Sequence, residues 1–432
     1  MQKAKTTALV WFRNDLRVRD QHSLSQAIAA HDRVIAVYHL PRRWLHPTRW
    51  GFKKMEVFRA SFLLQTLAQL QKDLSKLNIS LWVKVGRLKT LLKELQEEYN
   101  ITAIYGQKEW TQEEIDDNAL IPSGIEEHWY YDQFLYHPDD IPMQVSGIPE
   151  IFTVFRKKCE KHVKVRLPLP IPPSMPMENL LTSVPKLPTL SSLGYETVSE
   201  ETRTAIPFEG GEQAAWARLE NYLWKTKQLS YYKKTRNGLL GKKYSSKFSI
   251  WLAFGSISSV SIYHEVKKYE KEITKNDSTY WLIFELIWRD YFKYISKKHG
   301  NDIFKLGGLL KKDYTWKTDH KYIQQWIDGT TPEPFVNANM RELALTGFMS
   351  NRGRQNVASF FAKEWELDWR IGAAYFEAML IDYDIHSNYG NWMYNAGVGN
   401  DPRDRKFNIA WQAKRYDPNN KYQNTWLQST LF

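Results

Sequence analysis

Three serines near the middle of the chain have the spacing of a phosphate-binding element. Ser245, Ser246 and Ser249 precede the apolar run 250–254. Hydroxyl groups and free backbone amides at the start of a helix can hold a phosphate. The stretch just upstream, residues 225–247, contains eight lysines and arginines and no acidic residue, which would add attraction for an anion. Simple capping of a helix explains the serines equally well, so both interpretations stay open.

An acidic pair follows much later in the chain. Asp382 and Asp384 flank a tyrosine, and they could bind a metal ion or cap a turn that leads into Asn388 and Asn391. No second acidic cluster lies nearby, and no group of histidines and cysteines has the spacing of metal ligands. We therefore expect no metal. No nucleophile with an adjacent base stands out either, so hydrolysis has little support.

The first turn after an apolar run carries charge and no glycine. It reads Trp-Phe-Arg-Asn-Asp-Leu-Arg over residues 11–17. A dinucleotide pyrophosphate approaches the backbone through glycines, so a classical NAD site is excluded here. Arg13, Asp15 and Arg17 are instead expected to pair locally and fix the turn.

Composition bounds the class of protein. The 432 residues carry a net charge of +12, of which +9 lies after residue 205, so the C-terminal half could attract a polyanion or present an ordinary solvated surface. No apolar run is long enough to span a bilayer. The single Cys159 excludes an internal disulfide, and Met1–Thr7 lacks the apolar core of a secretory signal. We expect a soluble, cytoplasmic protein without a membrane partner.

The spacing of apolar residues predicts an α/β domain over residues 1–130. Short buried strands are expected at 8–12, 34–38, 81–85, 101–105 and 129–131. Between them, apolar residues from Met55 to Leu77 recur every three or four positions and predict a long amphipathic helix. The alternation of strand and helix predicts a five-stranded, mostly parallel, Rossmann-like sheet with its ligand at the carboxyl edge.

Residues 131–205 change character, because ten prolines interrupt any long periodic element. We expect an interdomain linker laid over the surface, with one helix near 151–159. Residues 206–432 show no strand pattern, and segments 214–224, 281–295 and 355–365 predict helices. The C-terminal domain is therefore expected to be all-α.

Four ordered motifs resemble the photolyase and cryptochrome family. They are VWFRNDLRVRD at 10–20, YSSKFS at 244–249, ELIWRDYF at 285–292, and the long stretch 337–392 that ends in LIDYDIHSNYGNW. The sequence is most similar to the DASH branch, because Gln355 and Tyr394 stand where typical dimer-repairing photolyases have methionine and tryptophan. The resemblance covers both predicted domains.

This resemblance implies a folded FAD within an all-α, FAD-binding and DNA-binding domain. The residues implied for its phosphates and ribityl chain are Tyr232, Arg236, Ser245, Ser246 and Ser249. Arg354 and Asp382 would pair beside the isoalloxazine ring, and Asp384 would lie near its ribityl side. Asn388 would face flavin N5, where a neutral amide can accept a hydrogen bond without placing an anion against a reduced flavin.

The resemblance also implies a path for electrons and a pocket for substrate. Trp392, Trp369 and Trp316 would form a relay from the flavin outwards, although core packing is the ordinary role of any single tryptophan. A pyrimidine dimer would be flipped into a pocket over the flavin. The pocket residues implied are Glu285, Trp288, Asn351, Gln355 and Tyr394.

Two further expectations concern the antenna and the activity. Lys108 and Glu109 follow the fourth strand, where the family recognises an antenna such as 5,10-methenyltetrahydrofolate.

The function implied is light-driven repair of cyclobutane pyrimidine dimers by a monomeric lyase that prefers single-stranded DNA. The alternative is a blue-light photoreceptor that signals by flavin photoreduction; a flavoprotein for dark electron transfer is a third. Signalling members often have long C-terminal extensions, and only 40 residues follow Trp392, which favours the enzyme.

Overall fold

The computed structural model of the protein describes residues 6–199, 201–400 and 404–428. Its first domain is built on five parallel strands, in the spatial order β3-β2-β1-β4-β5. The strands are β1 (Thr7–Phe12), β2 (Arg33–Pro41), β3 (Leu81–Gly86), β4 (Ile101–Gln107) and β5 (Glu126–Tyr130). The central strand β1 is buried throughout, as a strand covered on both faces must be. The predicted Rossmann-like sheet is confirmed.

Helices pack on both faces of this sheet. They are α1 (His22–Ala30), α2 (Val57–Ser75), α3 (Leu88–Tyr99) and α4 (Gln112–Asn118). The predicted apolar stripe forms the inner face of α2, where Leu63, Leu67, Leu70 and Leu74 are buried. Met55 is buried just before this helix begins.

The remaining helices follow residue 150. They are α5 (Phe152–His162), α6 (Glu212–Glu220), α7 (Tyr232–Thr235), α8 (Ser249–Ala253), α9 (Ser259–Glu272), α10 (Asp277–His299), α11 (His320–Asp328), α12 (Pro334–Thr346), α13 (Asn351–Ser359), α14 (Trp369–Met379), α15 (Ile385–Ala396), α16 (Ile409–Tyr416) and α17 (Lys421–Leu427). A π-helical turn extends α6 over 221–225, and another extends α13 over 360–364. The part of the chain described after residue 205 contains no strand, so this domain is all-α as expected.

The charged turn after β1 joins the two domains. The Asp15 carboxylate accepts a hydrogen bond from the Arg13 backbone N–H at 2.7 Å, which closes the turn, but the Arg13 guanidinium donates to Asn118 and not to Asp15. The Arg17 guanidinium donates to the carbonyls of Asp20, Asp132 and Gly255 rather than to the Asp15 carboxylate. Arg17 therefore ties the turn to the linker and to the helical domain.

Residues 131–205 differ from a connection laid over the surface. Helix α5 forms where expected, but Phe155 and Cys159 on it are fully buried. Phe155 packs against Tyr291 and Tyr294 of α10, with ring centroids 5.5 and 5.3 Å away. Prolines exclude long periodic elements but not burial, so this segment contributes to the core between the domains.

A small hydrophobic core lies between one face of the sheet and α3. A larger core runs from the other face through α5 into α6–α10, and another lies among α11–α17. The functional cavities described below lie where these last two cores meet. Across the described ranges, we find no helix both long and apolar enough to cross a membrane.

Candidate functional site

A cavity of about 420 Å³ opens among α10, α13 and α15 and the segment that precedes α8. Its volume lies within the range typical of cofactor and ligand sites. The predicted cofactor residues that line it are Tyr232, Arg236, Ser245, Ser246, Ser249, Arg354, Asp382 and Asp384. The predicted substrate residues that line it are Glu285, Trp288, Asn351, Gln355 and Tyr394. The structure thus brings both sets to one cavity.

At one end of this cavity, Ser245 and Ser246 lie on the bend that precedes α8, and Ser249 is the first residue of that helix. Ser245 and Lys247 both have left-handed backbone conformations, with φ of +53° and +60°. No side chain caps α8, and the nearest candidate, Ser246 Oγ, is 3.5 Å from the Phe248 nitrogen. The described contacts therefore do not support helix capping as the role of these serines.

Arg354 and Asp382 pair across the cavity wall. One guanidinium nitrogen of Arg354 donates to both carboxylate oxygens of Asp382, each at 2.9 Å. The Arg354 Nε also donates to the Met349 carbonyl at 2.9 Å, and Ser350 caps the start of α13. Because the arginine is held at two points, the pair is a fixed, planar polar element in the wall.

Asp384 is held by a second buried ion pair. Its Oδ2 lies 2.9 Å from Lys293 Nζ, and its Oδ1 accepts from the Ser387 backbone N–H at 2.8 Å, which caps α15. Burial alone would raise the pKa of Asp384, but the nearby cations Lys293 and Arg289 hold it well below its usual range. Asp384 is therefore a fixed anion. Among the described residues, no three acidic, histidine or cysteine side chains converge as metal ligands would.

Asn388 lines a smaller compartment of about 80 Å³ next to the main cavity rather than the main cavity itself. Its amide nitrogen donates to the Ala373 carbonyl at 3.0 Å, which orients the amide so that its oxygen points away from that carbonyl. Trp392 lines the same compartment and is 1% exposed. Its indole lies against Gly372 of α14, where any Cβ would overlap the ring.

The three tryptophans of the predicted relay follow one another through neighbouring segments. Trp369 is fully buried at the first position of α14, three residues before Gly372, so it lies on the side of α14 that meets Trp392. Trp316 is half-buried, and the next residue, Lys317, forms a parallel bridge with Leu367, just before α14. Trp392 and Trp369 are both fully buried and Trp316 is partly exposed, so exposure agrees with Trp316 as the outermost of the three and does not order the other two.

The residues predicted to bind the substrate make contacts with other side chains that the sequence did not suggest. Arg236, expected at the cofactor phosphates, is paired with Glu285, expected at the dimer. Burial raises the pKa of Glu285, and the nearby Arg236 opposes this rise. Trp288 stacks on Phe152 of α5, with ring centroids 3.7 Å apart and an 11° angle between planes. One face of the Trp288 indole is therefore covered by the linker segment.

A second cavity, of about 390 Å³, lies between the sheet domain and the helical domain. Glu109 lines it and accepts a 2.6 Å hydrogen bond from Gln107, and burial raises its pKa to about 7. Trp44 and Trp50 supply aromatic surface. Lys108 does not line this cavity: its backbone carbonyl accepts from Gln133 and its N–H donates to Tyr130. The expectation that Lys108 joins Glu109 there is not met.

Sequence reasoning identified Asp384 but missed Arg289 and Lys293, which lie with it between the two cavities. Arg289 and Asp384 line both, and Lys293 lines the interdomain cavity while it binds Asp384. Arg289 and Lys293 are four residues apart on α10 and share one face. A usable signal existed, because Lys293 is a lysine within the otherwise apolar run from Tyr291 to Ile295. A lysine in a buried run requires an anionic partner.

Comparison with known proteins agrees with this geometry. Residues 8–174 match the family model described as DNA photolyase, and residues 281–430 match the one described as the FAD binding domain of DNA photolyase. The architecture and the site define a two-domain, flavin-binding photolyase fold. The chain belongs to the photolyase and cryptochrome family, and it is similar over nearly its whole length to cryptochromes of the DASH type.

Individual relatives support the assignment over nearly the whole chain. The cryptochrome DASH of Gloeobacter violaceus is 46% identical, over 98% of this chain and 85% of that protein. A chloroplastic/mitochondrial cryptochrome DASH of Arabidopsis thaliana is 43% identical, over 99% and 76%. The crystal structure of a Synechocystis cryptochrome superposes with a TM-score of 0.93 at 44% identity, covering 99% of this chain and 89% of that one. A class III photolyase from Agrobacterium tumefaciens gives 0.83 at 26% identity, covering 99% and 87%.

Proposed function

We propose that this protein is a blue-light-driven flavoprotein of the carbon–carbon lyase type that repairs cyclobutane pyrimidine dimers, preferentially in single-stranded DNA. One observation carries the proposal. The residues suited to hold a flavin and those suited to hold a dimer line one cavity, and Asn388 and Trp392 line the compartment that adjoins it.

The polar groups of the cavity fit FAD. Ser245, Ser246 and Ser249 supply hydroxyls for the phosphates. The Arg354–Asp382 pair presents a planar, charge-balanced edge to the ring system. When bound, reduced FAD would supply the electron that opens the cyclobutane ring and would receive it back.

The surrounding side chains would then act by position and charge. Asn388, whose amide nitrogen is bound to Ala373, would present its oxygen to a ring N–H as an acceptor. The fixed anion at Asp384 would orient the ribityl side through hydroxyl donors. Trp369 and Trp392, with Trp316 nearer the surface, would carry the electron that first reduces the cofactor.

The dimer would enter from the side of α10 and α13. Glu285 would hydrogen-bond the dimer through its second carboxylate oxygen, and the other guanidinium N–H groups of Arg236 would contact the phosphates, since the pair engages one atom of each side chain. Trp288, already covered on one face by Phe152, would offer its other face for stacking. Gln355 would complete the pocket beside Asn351.

A preference for single strands would follow from the energy of base flipping. Extruding a dimer from a duplex costs a few kcal/mol of stacking and pairing, and most of that cost is absent in a single strand. Gln355 and Tyr394 are more polar and offer less stacking area than methionine and tryptophan, so they would offset less of this cost. Phosphate contacts of the basic domain would make binding weaken as salt rises.

The test is the rate of repair per absorbed photon, for the same dimer in a single strand and in a duplex at fixed salt. We expect efficient repair in the single strand and weak repair in the duplex. Equal rates would contradict the preference. An absence of repair in both forms, with flavin photoreduction intact, would instead support the photoreceptor alternative.

We further propose that the interdomain cavity holds a folate antenna such as 5,10-methenyltetrahydrofolate. Glu109, as a carboxylate, would accept from the amino and ring N–H groups of the pterin, and Trp44 or Trp50 would stack on its ring. The loss of near-ultraviolet absorbance from a Glu109→Ala variant that retains FAD would support this assignment.

The organisation that this function requires is an antenna-binding domain at 1–130, a linker at 131–205, and a helical domain for FAD and DNA at 206–432. We propose that the protein acts as a monomer in the cytoplasm. Sedimentation of the purified protein and microscopy of a fluorescent fusion test these two points.

A further inference from the structure

An exposed tryptophan lies on α16, outside the cavity. Trp411 is 51% exposed, and no other tryptophan belongs to the exposed large hydrophobic side chains of the described ranges. The guanidinium of Arg415, one helical turn later, lies 5.0 Å from the centroid of the indole. Exposing so large an apolar surface costs free energy in water unless a partner covers it.

This tryptophan is connected to the mouth of the cavity through a series of contacts. Asn351 lines the cavity, and the next residue, Arg352, lies 4.6 Å from the ring centroid of Tyr416. Arg415 lies 5.5 Å from the same ring. Five residues of helix separate Tyr416 from Trp411, a rise of about 7.5 Å. The surface formed by Arg352, Tyr416, Arg415 and Trp411, here called the rim, therefore extends outwards from the cavity.

The rim is positively charged. Arg352 and Arg415 contribute two guanidinium groups, and Lys414 beside them is exposed. Burial lowers the pKa of Arg352, and the cations Arg236 and Arg415 lower it further, which indicates that positive charges crowd this edge. Exposed aromatic rings interleaved with cations are the combination that binds single-stranded nucleic acid, because bases stack on the rings and phosphates contact the cations.

We propose that Trp411 and Arg415 form a stacking platform for an unpaired base that flanks the dimer in single-stranded DNA. This rests on the proposed function, because it assumes that the dimer occupies the cavity. The indole would take the face of the base while Arg415 contacts the neighbouring phosphate. In a duplex, both faces of that base are already stacked, so the platform favours single strands independently of the pocket.

The experiment uses undamaged and dimer-containing single-stranded oligonucleotides in the dark. A 2-aminopurine base is placed at successive positions on either side of the dimer, and its fluorescence is quenched by stacking. We expect strong quenching at one flanking position with the wild-type protein and none with Trp411→Ala. Affinity for both oligonucleotides should fall roughly 5- to 150-fold, the range for loss of one base–aromatic stack. Trp411→Tyr should restore most of it.

Two controls separate the platform from general surface effects. Tyr322→Ala removes another exposed aromatic, 43% exposed on α11, and should change neither the quenching nor the affinity. A dinucleotide dimer has no flanking base, so Trp411→Ala should repair it at the wild-type rate per photon. Slower repair of the dinucleotide would place Trp411 in the cavity machinery and overturn the platform.

Three other outcomes would also test the proposed stacking platform. If Trp411→Ala binds single strands as the wild type does, the platform is refuted, whether or not repair occurs. If Trp411→Ala instead changes sedimentation from dimer to monomer while DNA binding is unchanged, the tryptophan serves contact between copies. If no variant repairs any dimer but Trp411→Ala still loses affinity and quenching, the platform stands and the repair function fails.

Discussion

Removing either partner of the buried Lys293–Asp384 pair should destabilise the protein. Removing both partners should lower the free energy of unfolding by less than either single change. The side chains of Lys293 and Asp384 are 5% and 13% exposed, and their charged atoms are 2.9 Å apart. Lys293→Met leaves a buried carboxylate, and Asp384→Asn leaves a buried ammonium group. Each single change should lower the free energy of unfolding by about 3–5 kcal/mol, the usual cost of an uncompensated buried charge.

The two variants should lose different amounts of free energy of unfolding within this range, because the charge left behind has different neighbours in each. After Lys293→Met, Asp384 still accepts from the Ser387 N–H and lies near Arg289, so its loss should be about 3 kcal/mol. After Asp384→Asn, the helix cap is retained by the amide oxygen, so the remaining effect is electrostatic. Burial already lowers the pKa of Lys293, and without Asp384 it would fall further. The cost of Asp384→Asn should therefore increase as pH falls and the ammonium is forced to form.

The wild-type Asp384 carboxylate follows the usual pH dependence of an acid whose pKa is lowered by folding. The folded pKa of Asp384 is depressed, so its contribution is fully present above the unfolded value of about 4 and is lost only as pH falls through the folded value. The wild type should therefore keep this contribution to stability at pH 5.5. At that pH the Asp384→Asn variant should lose more stability than at pH 7.

Urea unfolding measured by circular dichroism, at pH 7 and 5.5 and at equal flavin occupancy, gives these free energies from the midpoint and slope. The Lys293→Met, Asp384→Asn double variant leaves no unpaired charge and should cost less than either single variant. Single costs below about 1 kcal/mol, as for exposed pairs, would refute the reasoning. So would a double variant whose cost equals the sum of the singles.

Four further predictions follow from the site. Trp392→Phe should abolish blue-light reduction of the bound flavin by an external reductant while the flavin stays bound; a wild-type rate would contradict the relay. Asn388→Asp should change which redox states accumulate in a titration, since a carboxylate repels an anionic reduced ring; an unchanged titration would remove Asn388 from the flavin site. The pKa of Glu109 is about 7, so the carboxylate that would bind a folate antenna forms between pH 6 and 8, and retention of the antenna should rise over this range. Glu109→Gln should retain little antenna at either pH, as measured by absorbance after desalting. Gly372→Ala should lower stability by about 1–3 kcal/mol and disturb photoreduction, because its Cβ would overlap the Trp392 ring; Gly147→Ala, which meets nothing within 4 Å, should do neither.

The fold was predictable because its determinants are local. Strand β1 is a short apolar run, and α2 repeats its leucines at helical spacing, so each element can be identified without knowing its neighbours. The right-handed crossover rule then leaves few arrangements for a parallel sheet. For the same reason the sequence predicted that the second domain is all-α. It did not predict the π-helical turn that follows α13.

The pairing of charged residues was not predictable, because it depends on contacts across long stretches of chain. Arg236 and Glu285 are 49 residues apart, and each was assigned a ligand of its own rather than the other. Phe152 covers Trp288 from a segment whose prolines suggested a surface connection. A sequence motif identifies which residues a site needs, but not which of them bind each other when the ligand is absent.

Assigning the two chromophore sites to different domains suggested that a change in one would leave the other undisturbed. The structure makes this separation incomplete, because Arg289 and Asp384 line both cavities. The charges of Glu109 and Lys293 also influence each other, so Glu109 raises the pKa of Lys293 while Lys293 lowers that of Glu109. Since Lys293 holds Asp384, neutralising Glu109 weakens the support of an anion at the flavin cavity. The two cavities are therefore coupled through Lys293 on α10, so a small shift of flavin properties in a Glu109 variant would reflect that coupling rather than misfolding.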